Sequence, residues 1–369
     1  MTILLILIFN KIMYNNLMAV ALDNIHIEPR YIDGYDKAFN FIVCPREPGK
    51  TSMFWLKKIY IPWKKNKKPW IYMVRQSVEI TQALIDSISD TIINKFTDDN
   101  VEFQYVRSTF KDGIVDVKIN GELFFRIVSL SIMLRRIKLA VLKNVAGVLF
   151  DEYIINPETQ ERYLADEAFK IKEAYTTWTR ESEGKLKVYF LANPYSLYNP
   201  MFVYLGVDTS KLKQGAVVVG KEYVIWCYQL TEELKAYILK NNPLYAFDDE
   251  YKKYAFDGVA ILDEKVKLGK MPKNYYLQFV FRIDKKNIGL FKNSMYNGGD
   301  KYFAKIVDDV SIHRTLYCFD FKDLINRCAI ISNEERDRLN NFKIAMRKRL
   351  ISFEDINCYY LVEEIYRNL

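Results

Sequence analysis

The segment Cys44-Pro45-Arg46-Glu47-Pro48-Gly49-Lys50-Thr51 has the residue types and spacing of a phosphate loop, with Cys44 where the first glycine is usual. Such a loop turns its backbone N–H groups inward on a β-phosphate. Its lysine bridges β and γ oxygens, and its final hydroxyl holds Mg²⁺. Gly49, Lys50 and Thr51 supply the essential end of the pattern, and Cys44 can replace glycine if its φ is negative. Pro45 and Pro48 stiffen the loop. A Gly-Lys-Thr alone is a weak signal. Here an apolar strand precedes it and a helix follows, so ATP and Mg²⁺ are the implied cofactors.

A second constellation completes this chemistry. Val148-Leu149-Phe150 runs into Asp151-Glu152. Isolated, an Asp-Glu after a strand reads as a solvated turn. About a hundred residues beyond a phosphate loop, Asp151 is expected to hold Mg²⁺ through water and Glu152 to orient the attacking water. The adjacent glutamate predicts one extra strand between the two motif strands. Farther on, Leu186 to Leu191 ends in Ala192-Asn193-Pro194. Asn193 could sense a γ-phosphate beside Glu152 or simply start a turn, and the residues leave both open.

These side chains need a sheet whose strands end on one edge. Phe39 to Val43, Trp70 to Arg75, Val145 to Phe150 and Leu186 to Leu191 are apolar runs that read as buried strands, alternating with helices over Ser52 to Tyr60 (closed by Pro62), Val78 to Phe96, and Pro157 to about Thr179. Val101 to Val106, Ile114 to Ile119 and Leu123 to Leu130 read as short strands around Asp112-Gly113 and Asn120-Gly121, both hairpin-turn dipeptides. Ala216 to Gln229 is read as strand. The pattern predicts a parallel α/β sheet. After a helix over Thr231 to Lys240 and a loop from Pro243 to Gly258 the pattern changes to an antiparallel meander, Tyr275 to Ile283, Asn287 to Ser294 and Tyr302 to Val307. Ser332-x-x-Glu335 is a capping box for a helix reaching about Leu350. The division is therefore 1–21 extension, 22–230 first domain, 231–265 linker and 266–369 second domain.

Composition narrows the partners. Lys plus Arg outnumber Asp plus Glu by 54 to 46, a moderate basic bias that permits nucleic acid. Five scattered cysteines without C-x-x-C spacing argue against a disulfide framework, and only two histidines argue against a Cys/His zinc site. Ile3 to Phe9 is apolar and Ala19-Val20-Ala21 resembles a signal-peptidase site, yet no basic residue precedes the run and Lys11 interrupts the apolar stretch soon after it. Residues 1–21 are read as an extension, with Met13 and Met18 as alternative starts. No run approaches the ~20 apolar residues of a membrane helix.

Basic residues gather at Lys343, Arg347, Lys348 and Arg349, where they could bind nucleic-acid phosphates or line a solvated helix face. The Lys64, Lys65, Lys67, Lys68 run has the same two readings. A two-metal nuclease needs about three converging carboxylates. Asp284, Asp308 and Asp309 are the candidates, Asp284 is followed by Lys285-Lys286, and no triad is completed, so surface carboxylates are the favoured reading.

Arg46 inside the loop, Phe39 to Val43 before it, Ile71 to Arg75, Val148 to Tyr153 and Phe190-Leu191-Ala192-Asn193-Pro194 together resemble the DNA-encapsidation ATPases of small protein-primed podoviruses, related to terminase large subunits. The resemblance is specific over about residues 35–205. It implies an additional-strand P-loop ATPase domain followed by a smaller α+β, RNase H-like domain that no longer cuts. It further implies ATP-driven movement of double-stranded DNA into a procapsid, a homomeric ring of five subunits docked on the portal, and in some members a packaging RNA. The host cytoplasm is the implied location. A basic side chain acting across the ring interface is also implied, with Arg180 and Lys138 ahead of Arg162, and with Arg46 acting in cis as rival. A nuclease-competent terminase and a protein-remodelling P-loop ATPase are the alternatives.

Overall fold

The computed structural model describes residues 26–45, 48–156, 161–164, 166–182, 186–196, 199–241, 266–283, 286–295, 301–308, 315–319, 323–326 and 328–369. They form two compact units, one made of the described residues within Met1–Asp151, Ala174–Asn193 and Val217–Asp257, and the other of those within Glu152–Glu173, Pro194–Ala216 and Gly258–Leu369.

The first unit carries β1 (Phe39–Val43), β2 (Trp70–Val74), β3 (Ile114–Ile119), β4 (Glu122–Ser129), β5 (Gly147–Asp151), β6 (Val188–Ala192), β7 (Val217–Val219) and β8 (Tyr223–Cys227). They make one sheet in the order β3-β4-β2-β5-β6-β1-β8-β7. The strands from β4 to β8 in that order are parallel, and β3 and β7 add antiparallel edges. β1, β2 and β6 are buried at every residue, which suits strands covered on both faces. β6 lies between β1 and β5, so an additional strand separates the loop-bearing strand from the acidic strand. This is a mixed α/β fold with a large sheet resembling those of additional-strand NTPases.

The helix after the loop differs from the sequence expectation. It continues through Pro62: Lys50–Met53, a π-helical stretch Phe54–Tyr60, then Ile61–Asn66, ending at Lys67 with a left-handed φ of 54°. Pro62 occupies the second position of the last segment, where the change from π to α bonding already interrupts the ladder and the missing N–H costs little. The next helical stretch runs Gln82–Ser87, Ile88–Ile93 and Asn94–Phe96. It buries Ile85, Ile88, Ile92 and Ile93 in the same core as Phe54, Trp55 and Ile59.

Asn120-Gly121, both left-handed at φ 51° and 81°, make the β3–β4 hairpin turn as expected. Asp112-Gly113 instead closes a 3-10 turn over Arg107–Asp112, and Val101 to Val106 is no strand: only Gln104 bridges Lys118. Its Gln104 instead bonds the β3–β4 hairpin, the side chain accepting from Gly121 N–H at 2.9 Å. Likewise 216–229 is a hairpin of two strands, and the helix expected from Pro157 is described over Glu167–Glu181.

The second unit contains β9 (Tyr275–Ile283), β10 (Lys286–Asn293), β11 (Tyr302–Ile306), β12 (Leu316–Cys318), β13 (Cys328–Ile330) and β14 (Ile351–Phe353), in the sheet order β13-β12-β9-β10-β11-β14. β9, β10 and β11 form the expected antiparallel meander, flanked by parallel neighbours. Phe281, Ile288, Leu290 and Tyr302 pack with Leu361, Val362 and Ile365 of the closing helix Ile356–Asn368. The Ser332/Glu335 capping box is present, but its helix breaks at Leu339 into Asn333–Arg338 and Asn340–Arg347. The break follows from Leu339 adopting φ −88°, ψ 2°.

Candidate functional site

β1 delivers the loop to the edge where the parallel strands end. Cys44 N–H donates to Ala192 O at 2.9 Å, tying the loop's first residue to the end of β6, and Ile27 N–H donates to Pro48 O at 3.0 Å. Cys44 is fully buried, and burial pushes its thiol up to about 12. It is an uncharged filler, and its backbone is not left-handed, so it replaces glycine without strain. Gly49 is left-handed at φ 67° and immediately precedes the helix; a Cβ there would lie 2.8 Å from His26 Cδ2. Only glycine fits both the torsion and the close ring. The first N–H groups of the helix then face the loop without intrahelical partners, a ready anion site. Arg46 and Glu47 lie outside the described residues.

Two hydrogen bonds assemble the site. Lys50 Nζ donates to Asn193 Oδ1 at 2.6 Å. Thr51 Oγ1 donates to Asp151 Oδ2 at 2.7 Å. Asn193 is 5% exposed, so it is a buried polar partner of the loop lysine; a bend, not a turn, follows it at Pro194 and Tyr195. Glu152, the first residue past β5, takes a left-handed φ of 54°, uncommon for a non-glycine residue. The chain thus turns at Glu152, immediately after the strand residue Asp151.

The basic candidates are scattered. Arg180 is exposed in the last turn of Glu167–Glu181, and Lys138 lies in the last turn of Leu134–Leu139. Trp178 Nε1 donates to Ile137 O at 3.1 Å, which brings these two helix ends together. Arg162 is exposed outside any helix. In the C-terminal cluster, Lys343 Nζ donates to Leu369 O at 2.9 Å and Arg347 Nε to Tyr366 Oη at 3.0 Å. Lys343 is held by the residue that caps the closing helix and Arg347 by the helix itself, and Arg347, Lys348 and Arg349 are all exposed. In the lysine run, Lys64 pairs with Asp99 at 2.7 Å and Lys67 with Glu122 at 2.8 Å, so half of that run is held by carboxylates. Asp308 is exposed; Asp284 and Asp309 lie outside the described residues. No cluster of three metal-ligating side chains occurs among the described residues.

Two residues escaped the sequence reading. Arg75 is 6% exposed at the end of β2, its guanidinium 5.2 Å from the Phe150 ring centroid next to the acidic pair. An arginine terminating an otherwise apolar strand was the available signal. His26, which packs on Gly49, had none, because nothing in sequence links it to the loop.

Comparison with known proteins agrees with this architecture. The family model of the podovirus DNA encapsidation protein (Gp16) matches residues 22–369. The chain is similar to the solved bacteriophage Phi-29 viral genome packaging motor assembly, at 19% identity and TM-score 0.64 over 93% of this chain and 99% of that one. It is also similar to the Phi-28 gp11 DNA packaging motor, at 15% identity and TM-score 0.59 over 90% and 95%. At such identities these two likenesses establish the fold. A search of curated proteins finds no match. With its family model spanning nearly the whole chain, this protein belongs to the podovirus DNA encapsidation family.

Proposed function

We propose that the chain is the ATP-hydrolysing subunit of a motor that drives double-stranded DNA into a viral procapsid. Family membership supports the process, and one observation supports the chemistry: Lys50 meets Asn193 and Thr51 meets Asp151 where the parallel strands end. The oxygen pair Thr51 and Asp151 suits a hard cation, and Mg²⁺ held there would neutralise charge on the β- and γ-phosphates. Lys50 binds the phosphates from within the loop, exchanging Asn193 for their oxygens. Asn193 thereby registers whether a γ-phosphate is present. Glu152 orients and polarises the attacking water.

The finer parts of this reading follow the family. Subunits form a homomeric ring of five on the portal, with a packaging RNA in some members. Arg180 or Lys138 completes a neighbour's site, with Arg46 in cis as the rival. The ATPase domain is 22–230, the linker 231–265, and 266–369 a vestigial RNase H-like domain, a view that the flanked antiparallel meander supports. Lys343, Arg347, Lys348 and Arg349 bind nucleic acid there, Lys348 and Arg349 being the more available pair.

The test is protection of DNA from added nuclease by procapsids carrying this protein. Protection is expected with ATP and absent with a non-hydrolysable analogue or with Glu152→Gln. Equal protection under all three conditions would show that hydrolysis does not drive entry.

A further inference from the structure

The phosphate loop accounts for one end of a nucleotide, and the base at the other end needs a seat beside the loop. β8 runs parallel to β1 with Cys227 opposite Val43, so the next residue, Tyr228, stands beside Cys44, the first residue of the loop. Tyr228 N–H donates to Val43 O at 2.8 Å. Adjacent strands lie only ~4.8 Å apart, so Tyr228 begins one strand spacing from the first residue of the phosphate loop.

Residues two apart in a strand share a face. Trp226 and Tyr228 therefore share the sheet face of Ile42 and Cys44, and these pack in the cluster with Met53 and Phe54 of the helix after the loop. Trp226 and Tyr228 sit at the margin of that cluster, only partly buried. Their rings are 5.4 Å apart at 74°, making a corner. Tyr31 extends the aromatic row, 4.8 Å from Trp226 and 52% exposed.

We propose that Tyr228 and Trp226 seat the base of the nucleotide whose phosphates occupy the loop, an inference that rests on the ATP-site reading above. A base stacked on one ring presents its edge to the face of the other, so both arrangements that aromatic groups prefer are satisfied. Stacking uses the π-face that every base has, so the seat recognises a planar base and not adenine in particular.

Calorimetric titration of the full chain with ATP and, separately, with inorganic tripolyphosphate tests this. Tyr228→Leu keeps an apolar side chain of useful volume and removes the ring; Tyr228→Phe keeps the ring. Tyr228→Leu is expected to weaken ATP by roughly ten- to a hundredfold, tripolyphosphate staying unchanged. Tyr228→Phe should restore ATP affinity to within about twofold. Trp226 fluorescence should respond to ATP and not to tripolyphosphate. Unchanged ATP affinity in Tyr228→Leu, or equal loss of both ligands, overturns the base seat while leaving the phosphate loop standing. Failure of the unaltered chain to bind either ligand overturns both.

Discussion

Thr51 Oγ1 donates a 2.7 Å hydrogen bond to Asp151 Oδ2 although the two residues are 100 apart in the chain and their strands are separated by β6. Lys50 reaches the intervening strand's own end at Asn193. Loop, acidic strand and middle strand are thus linked by adjacent loop residues, each to a different strand. A change in what Lys50 holds therefore bears directly on the position of the middle strand's end.

Removing either end of this chemistry should have separable effects. Lys50→Ala is expected to lose ATP binding, because the charge that bridges β and γ oxygens is gone. Glu152→Gln is expected to bind ATP normally and to hydrolyse it roughly a hundredfold more slowly or worse. Calorimetry and single-turnover phosphate release distinguish the two; near-normal turnover in Glu152→Gln would remove the acidic pair from its assigned role.

Gly49 makes a stability prediction. Its φ of 67° and the 2.8 Å approach of His26 both oppose a side chain. Gly49→Ala should destabilise by about 1–2 kcal/mol from the torsion alone, with the clash adding to it. Adding His26→Ala should recover the clash and leave the torsional cost. Denaturant unfolding of both variants checks this; a double variant as stable as the unaltered chain would mean the torsion relaxes.

Arg180 makes a mixing prediction. Arg180→Ala and Glu152→Gln should each be nearly inactive, since one lacks the donated charge and the other the water-orienting carboxylate. If the subunits assemble as the proposed ring, mixed assemblies would contain some interfaces with both residues intact, and part of the DNA-stimulated ATPase activity should return. If mixed rings form, as shown by co-purification, and stay inactive, Arg46 becomes the better candidate and Lys138 must be tested in the same way.

The basic C-terminal region should bind nucleic acid without cutting it. Salt titration of DNA binding should show a log–log slope reduced by about one unit for each phosphate-binding side chain removed. Lys348→Ala and Arg349→Ala should each reduce it, and Lys343→Ala and Arg347→Ala less, because those two already hydrogen-bond the closing helix. Mn²⁺-dependent plasmid cleavage abolished by Asp284→Ala would instead identify a working nuclease.

What the sequence determined by itself was local. The Gly49-Lys50-Thr51 end of the loop ahead of a helix, an apolar strand running into Asp151-Glu152, the Asn120-Gly121 turn and the Ser332/Glu335 cap each depend on residues close in the chain, and each is legible from residue type and period. Tertiary structure decided who meets whom. Asn193 was equally readable as a turn residue until strand order put β6 beside β1 and brought its side chain to Lys50. Lys343 and Arg347 share a helix face in sequence, but which surface that face meets is set by the packing of Ile356–Asn368. His26, Arg75, Trp226 and Tyr228 gained their neighbours from strand pairing and helix docking. Such contacts depend on chain separations over which period and propensity carry no information.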